Sequence, residues 1–545
     1  MRNVVLSVVL STVLGLSIQP AAFAQDGSGF TEAMITAAEL SNFERTSTFA
    51  EVISVVNALQ ASSPLLHRET LLTSVEGRKV PLLVLADPPV TTPEQAKQSG
   101  KLLVYIQGNI HGGEVEGKEA SLIAIREILH GDKRHLLENQ IILFLPVYNS
   151  DGNDQMSENS RPSQKMSPRL AGQRSAHGYD LNRDGMIIDT IETEALYKNL
   201  VQRWDPDLFV DLHTTNGTWH GYSLTYAPSY HTAGDASPSD YTAEVMLPAI
   251  RQSVKDEFNL DFNWYGGFDY RDWPPTQLRT YHHAPRYLTN NMGLRNRMAI
   301  LSETFAHDRF YKRVHAANVF VNEILDYSNA HSSEIRDINR QADERVVRQI
   351  EENAGNFQNG VQFEMVALEE PLDLLSYKYI PYTDEDGNKQ FVRSSEIVEI
   401  KGVENFNAFA ATKSSTVPVA YVFSAQFSGL TAKLEQHGIE VSPLQQEQEF
   451  AGESFRVDAI AKQGFVQNNH RNSLLEGEFE AGRQSFAAGD YYVAMNNRLA
   501  NLIFYLLEPE ADDGLAYWNF FDDYLEAELV NSASSEYPVF KVLER

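Results

Sequence analysis

A mixed, mostly parallel α/β sheet with helices on both faces, followed by a smaller α+β C-terminal domain, is the fold this sequence predicts. Three observations carry the expectation. Short apolar runs of strand length alternate with segments of helical periodicity through the first 335 residues. At 545 residues the chain is too long for one ordinary core, so two domains or more are expected. A charged helical stretch closed by Asn353, Ala354, Gly355 and Asn356 then breaks the pattern, and alternating runs resume beyond it.

Taken in order, residues 80–85 are an apolar run ending in Asp87, Pro88 and Pro89, a strand and then a turn. Residues 102–106 are a second strand. From 118 to 129, Ala120, Ile123, Ala124, Ile128 and Leu129 form one helical stripe. Residues 141–147, 208–212 and 298–301 are further buried-strand runs. Residues 149–180 are polar and rich in Ser, Pro, Gly and Arg; the stretch is too long for an ordinary connection and reads as a functional loop. Residues 217–240, rich in Tyr, His and Ser, read the same way. The resulting division places one domain at 25–335, a helical linker at 336–355 and the C-terminal domain at 356–545. In the last, 390–392 and 417–423 read as strands, and 430–437 and 494–507 as helices. There is no internal repeat and no low-complexity segment.

The first 24 residues read as a secretory leader. Arg2 supplies the positive start, residues 4–18 are almost wholly apolar or small, and Ala22, Phe23 and Ala24 form a cleavage site, so a mature chain starting at Gln25 is expected. The expected location is secreted or periplasmic, by bacterial export. The sequence has no cysteine, which excludes a lipoprotein anchor and disulfides and fits that setting. No later segment is long and apolar enough to span a bilayer, so no membrane anchor is expected after cleavage. The net charge of −29, or −30 once Arg2 leaves, argues against a nucleic-acid partner and reads as solubility.

The chemistry begins with His-x-x-Glu. Four segments have this spacing, starting at His111, His135, His331 and His437, and context separates them. His135 follows the charged residues 131–134 and reads as a helix end. His331 opens a polar helix running toward Glu351. His437 precedes Gly438 and reads as a helix C-terminus, where a histidine helps satisfy terminal carbonyls. Only His111 and Glu114 stand between a strand and a helix start, with Gly112 and Gly113 between them, and strand ends facing a helix N-terminus are where open α/β sheets place their chemistry. His213 closes another apolar run. Two imidazoles and one carboxylate are a three-ligand zinc set that leaves one position for water, which points to a metallohydrolase.

The ordered motifs extend further: His111 with Glu114; Asn149, Ser150, Asp151, Gly152; Asp180, Leu181, Asn182, Arg183; Asp211, Leu212, His213; and Glu303 after an apolar strand. Together these resemble the zinc carboxypeptidase family, the carboxypeptidase A-like metallopeptidases, over roughly residues 35–330. The resemblance implies a carboxypeptidase-like fold and one zinc ion per chain held by His111, Glu114 and His213. It implies that Glu303 is the general base, that Asn182 and Arg183 hold the substrate's terminal carboxylate, and that Asp180 orients a zinc-bound histidine. A guanidinium fork matches a carboxylate as no lysine does. A further arginine should polarise the scissile carbonyl; Arg161, Arg169 and Arg174 are candidates, with Arg161 favoured and Arg174 next. The family's mobile tyrosine is assigned to Tyr281, with Tyr287 as the other choice. Residues 281–287 depart from the family pattern, as does Ser150, where proline is usual. Little of residues 25–101 remains for an inhibitory pro-domain, so activity on removal of the leader is expected. The leading expectation is therefore an exported zinc metallocarboxypeptidase acting on peptides with a free C-terminal carboxylate. The alternatives are a zinc amidohydrolase acting on cell-wall peptides or acylated amino acids, and a catalytically inactive binding homologue.

Overall fold

The structure is a computed structural model describing residues 31–544, apart from 159, 162–163, 165–167 and 531. The expected leader, with Arg2, the cleavage site at Ala22 to Ala24, and Gln25, lies outside the described residues.

An eight-stranded sheet organises the first part of the chain. From edge to edge it runs Leu66–Thr73, Lys79–Leu85, Gln140–Leu145, Leu102–Gly108, Leu208–Thr214, Met298–Thr304, Leu224–Pro228 and Phe262–Trp264. The central four strands are mutually parallel. Antiparallel pairing joins them to Lys79–Leu85 on one side and Leu224–Pro228 on the other. Every residue of the central four is buried. Successive side chains alternate between faces, so complete burial means that both faces are covered. Helices Phe49–Ser62, Glu116–His130, Phe310–Ala330 and Ser332–Asn353 contribute that cover. Glu116–His130 spans the apolar stripe read from the sequence and packs along Phe310–Ala330.

Three sequence expectations change in detail. Residues 217–240 are not loop throughout, because Leu224–Pro228 is a fully buried sheet strand. Its buried side chains include Thr225 and Tyr226, so its composition conceals it. Of the segment 494–507, Ala494 closes the strand Tyr491–Ala494 and the helix is Ala500–Leu507. Asn497 ends the strand's run by accepting a hydrogen bond from Leu499 N at 2.8 Å. The helix through 336–352 is Ser332–Asn353, and it is packed along its length. Ile335, Asn339, Ala342, Val346 and Ile350 are buried, and its Asp343 pairs with Arg297 at 3.1 Å.

The C-terminal region centres on an antiparallel sheet with the order Ser442–Pro443, Tyr491–Ala494, Ala420–Phe423, Val539–Val542, Gln448–Lys462 and Ser473–Phe486. Its core around Tyr421, Phe455, Phe504 and Trp518 also takes in Met186, Ile187, Ala233 and Leu294 from the first part. A long hairpin, Leu372–Thr383 with Lys389–Phe406, pairs in parallel with Gln277–Arg279. The two parts therefore share both a core and a sheet. Among the described residues no helix is long and apolar enough to cross a membrane.

Candidate active site

The central parallel strands bring the chemistry to one sheet edge. Leu102–Gly108 ends just before His111, His213 is the penultimate residue of Leu208–Thr214, and Glu303 is the penultimate residue of Met298–Thr304. The register sets Glu303 beside His213, and Gly108 beside Leu212. This is the carboxyl edge, where open sheets hold ligands. The connection through Gly112 and Gly113 is tightly enclosed. A Cβ on Gly113 would overlap the Arg161 side chain and the Gly172 carbonyl oxygen, so glycine is what lets Arg161 come in over this turn.

His111, Glu114 and His213 each offer a ligand atom, and these atoms lie within 4.8 Å of one another, all buried. Nδ1 of His111 is 2.9 Å from Glu114 Oε1, and Nδ1 of His213 is 2.8 Å from Glu114 Oε2. The opposite nitrogens are taken by other carboxylates. His111 Nε2 lies 3.0 Å from Asp180 Oδ1, and His213 Nε2 lies 2.9 Å from Asp211 Oδ2. An Nε2–H donated to each aspartate would make Nδ1 of each ring the atom that takes the metal in place of a proton, the tautomer a zinc site requires. The donor set, its burial and its outer carboxylates all fit zinc. Burial alone would lower the His213 pKa, but Asp211 and Glu114 on either side hold it well above the usual imidazole range. Burial would raise Glu114, yet His111, Arg161 and His213 hold it well below the usual carboxylate range.

Asp211 has no role among the sequence expectations; its signal is its spacing to His213. Residues i and i+2 of a strand share a face, so an Asp two positions before a strand-end His can reach the same ring. Gln107 on the neighbouring strand steadies it by donating to Asp211 Oδ1 at 3.1 Å.

A cleft of about 220 Å³ opens over this cluster. Glu303 lines it, nearly buried, with Oε2 lacking a hydrogen-bond partner. Burial pushes the Glu303 carboxyl up to about 8; neighbouring His213 draws it down and Glu114 adds to the rise. Arg161 and Arg174 both line the cleft. Arg161 NH2 is 2.7 Å from Glu114 Oε1, whereas Arg174 reaches Asp180 Oδ2 at 2.9 Å. Arg169 is elsewhere, exposed and paired with Glu158.

Asn182 and Arg183 also line the cleft. The Asn182 carbonyl oxygen Oδ1 accepts from Leu288 N at 3.1 Å, which leaves its amide nitrogen toward the cleft, 3.5 Å from His213 Nε2. Arg183 stacks on the Tyr287 ring at 4.2 Å, and among the described residues its nearest carboxylate is Asp180, at 4.0 Å. Tyr281 and Tyr287 both line the cleft, in edge contact at 5.3 Å. The Tyr281 hydroxyl donates to Asn290 Oδ1 at 3.0 Å, so that side chain is tied back, and Tyr287 is the one that carries Arg183. Tyr265, Thr289 and Leu301 also line the cleft. None of these three was legible, because nothing local in the sequence marks a residue as cleft lining.

The other His-x-x-Glu segments hold different partners. His135 pairs with Asp326, exposed His331 with Glu334, and buried His437 with Arg295 and the Met186 carbonyl. His437 does cap the helix Ser428–Gln436, but its ring serves a contact with the first part of the chain and not that helix's carbonyls.

Comparison with known proteins gives the following. The family model for zinc carboxypeptidase matches residues 52–185, which include His111, Glu114, Asp180, Asn182 and Arg183. Carboxypeptidase 2 of Trichophyton tonsurans is 23% identical over 496 residues, covering 86% of this chain and 81% of that protein. Carboxypeptidase 2 of Trichophyton equinum is 22% identical, covering 89% and 84%. Among solved structures, a metallo-carboxypeptidase from Burkholderia cenocepacia is similar at 16% identity with a TM-score of 0.39, over 53% of this chain and 70% of that one.

Proposed function

We propose that the chain, whose residues 52–185 match the zinc carboxypeptidase family model, hydrolyses the C-terminal peptide bond of peptides at the cleft over His111, Glu114 and His213. The observation that carries the exopeptidase reading is Arg183. Its guanidinium faces the cleft from a stacked position on Tyr287, with no carboxylate nearer than 4.0 Å among the described residues. A half-buried guanidinium without a close anion, one arm steadied by the Asn182 backbone carbonyl at 2.7 Å and beside the Asn182 amide, is a seat for a substrate carboxylate.

His111, Glu114 and His213 would hold the zinc, and zinc when bound supplies a Lewis acid and lowers the pKa of water. Asp180 and Asp211 fix the two imidazoles. Glu303 would take the proton from the attacking water and pass it to the leaving amine. Arg161 would face the developing oxyanion, with Arg174 beside it. We also propose export by removal of residues 1–24. N-terminal sequencing of the protein recovered from outside the cytoplasm should begin at Gln25; an uncut chain would reject this.

The activity test is a digest of a mixed peptide library by the mature chain, read by mass spectrometry, with metal analysis alongside. The expected result is one zinc per chain and single residues lost from C-termini, with amidated peptides resistant. Arg183→Lys should raise KM for free-acid peptides by about 10–100-fold, since a charge-assisted bidentate contact is lost. Bound zinc with only muropeptide fragments or acylated amino acids cleaved would replace the peptidase reading by an amidohydrolase.

A pH dependence follows from His213. Its metal-free pKa is raised, so zinc must displace a proton held between Asp211 and Glu114. Zinc affinity should therefore rise with pH, by about tenfold per unit for each proton released, until His213 is neutral without zinc. Competition with a chelator at several pH values measures this. A flat profile through the neutral range would contradict it.

A further inference from the structure

A hairpin tip of the C-terminal region reaches the active site. Strands Gln448–Lys462 and Ser473–Phe486 extend toward the first part of the chain, and their connecting loop closes on a tight turn, where Gln467 and His470 exchange backbone hydrogen bonds of 2.8 Å. The turn residues Asn468 and Asn469 both have positive φ, +47° and +67°, as primed hairpin turns require and as asparagine tolerates. Asn469 is exposed and Asn468 is buried. The Asn468 amide grips the backbone of Asp180 at both ends. Oδ1 accepts from Asp180 N at 2.9 Å, and Nδ2 donates to Asp180 O at 3.0 Å.

Asp180 is the residue whose Oδ1 holds His111 Nε2 at 3.0 Å, while its Oδ2 is held by Arg174. The described contacts thus run without a break from the C-terminal hairpin through Asn468 and Asp180 to His111. On this basis we infer that Asn468 is a positioning residue for the metal centre: it sets the backbone of Asp180 so that the Asp180 carboxylate fixes the His111 ring. This rests on the reading of His111, Glu114 and His213 as the zinc site. It gives the C-terminal region a part in the chemistry that its own sequence motifs do not announce.

The hairpin tip has other anchors. His470 Nε2 is 2.8 Å from Asp189 Oδ2, and Gln467 Oε1 accepts from Arg286 NH1 at 2.5 Å. Removing the Asn468 amide therefore leaves the tip docked. Glycine is the informative replacement, because it adopts the positive φ without strain and deletes only the side chain. Asn469→Gly is the matched control, with the same backbone and no part in the grip.

The test measures zinc affinity of the full mature chain by competition with a chelator, together with thermal unfolding of the zinc-free form. Asn468→Gly is expected to weaken zinc binding by about 3–10-fold, less than the 10–100-fold expected for Asp180→Ala, which removes the outer carboxylate itself. Its zinc-free melting temperature should match that of Asn469→Gly, a result that a merely structural role would not give. Cobalt substituted for zinc should show an altered absorption spectrum in Asn468→Gly and an unaltered one in Asn469→Gly. Zinc affinity and cobalt spectrum equal to wild type in Asn468→Gly, with Asp180→Ala impaired, would overturn the inference and leave the proposed function standing. A wild-type chain that takes up no zinc would overturn both.

Discussion

Glu303→Gln is expected to lower kcat by about 10²–10⁴-fold while the protein keeps its zinc. Glutamine preserves the shape of the side chain but cannot accept a proton. Glu303 is not among the three candidate metal donors, so metal content should be unchanged. The structure also specifies a pH signature. In the metal-free cleft burial lifts the carboxyl to about 8. A bound dication nearby would favour the ionised form and draw that value down. A general base must be deprotonated to act, so kcat/KM should rise with pH through the lowered pKa, with a midpoint below about 8. Residual activity of Glu303→Gln should lack this acid limb. A variant that keeps both its rate and its acid limb would remove Glu303 from the role of base.

Arg161→Ala is expected to cost about 10²–10³-fold in kcat, the range for losing one oxyanion donor from a preorganised site. Arg161 lies against Glu114 at 2.7 Å with its side chain almost buried. Its charge therefore acts in a site of low dielectric, where it is worth more than in water. Zinc should be retained and KM should change little, because Asn182 and Arg183, which would seat the substrate carboxylate, are untouched. Arg174→Ala should cost less in kcat and more in zinc retention, because Arg174 braces Asp180. Equal kcat losses for the two variants, or the larger loss at Arg174, would reassign the roles.

The local signals in this chain differ in how far they reach. His111 and Glu114 were separable from the other three His-x-x-Glu pairs because an apolar run precedes them and a helical stripe follows, both features of near neighbours. Asp211 could have been found from its two-residue spacing to His213. Tyr265, Thr289 and Leu301 could not, since a cleft wall is assembled from segments that have no sequence relation to one another. The choice between Tyr281 and Tyr287 was open for the same reason: both are tyrosines in one short stretch. Only the partners, Asn290 for the Tyr281 hydroxyl and Arg183 for the Tyr287 ring, separate them.

The strand Leu224–Pro228 shows another limit. Periodicity identifies a strand when its buried side chains are apolar, as in residues 102–106. It fails where Thr225 and Tyr226 are buried in a sheet that supplies their environment from neighbouring strands. The helix Ser332–Asn353 was legible as a helix from its charges, but the charges said nothing of what its other face would meet.

By itself, the sequence determined the resemblance to the zinc carboxypeptidase family, the alternating α/β architecture and the candidate residues that stand at strand ends, because each depends on order and spacing within a few residues. Only the tertiary structure decided which arginine crosses Glu114, which tyrosine carries Arg183, and that Asn468 holds Asp180 from 288 positions away. Those contacts depend on how two parts of the chain dock, and docking is set by the shared core and by hydrogen bonds across it, which no local pattern encodes.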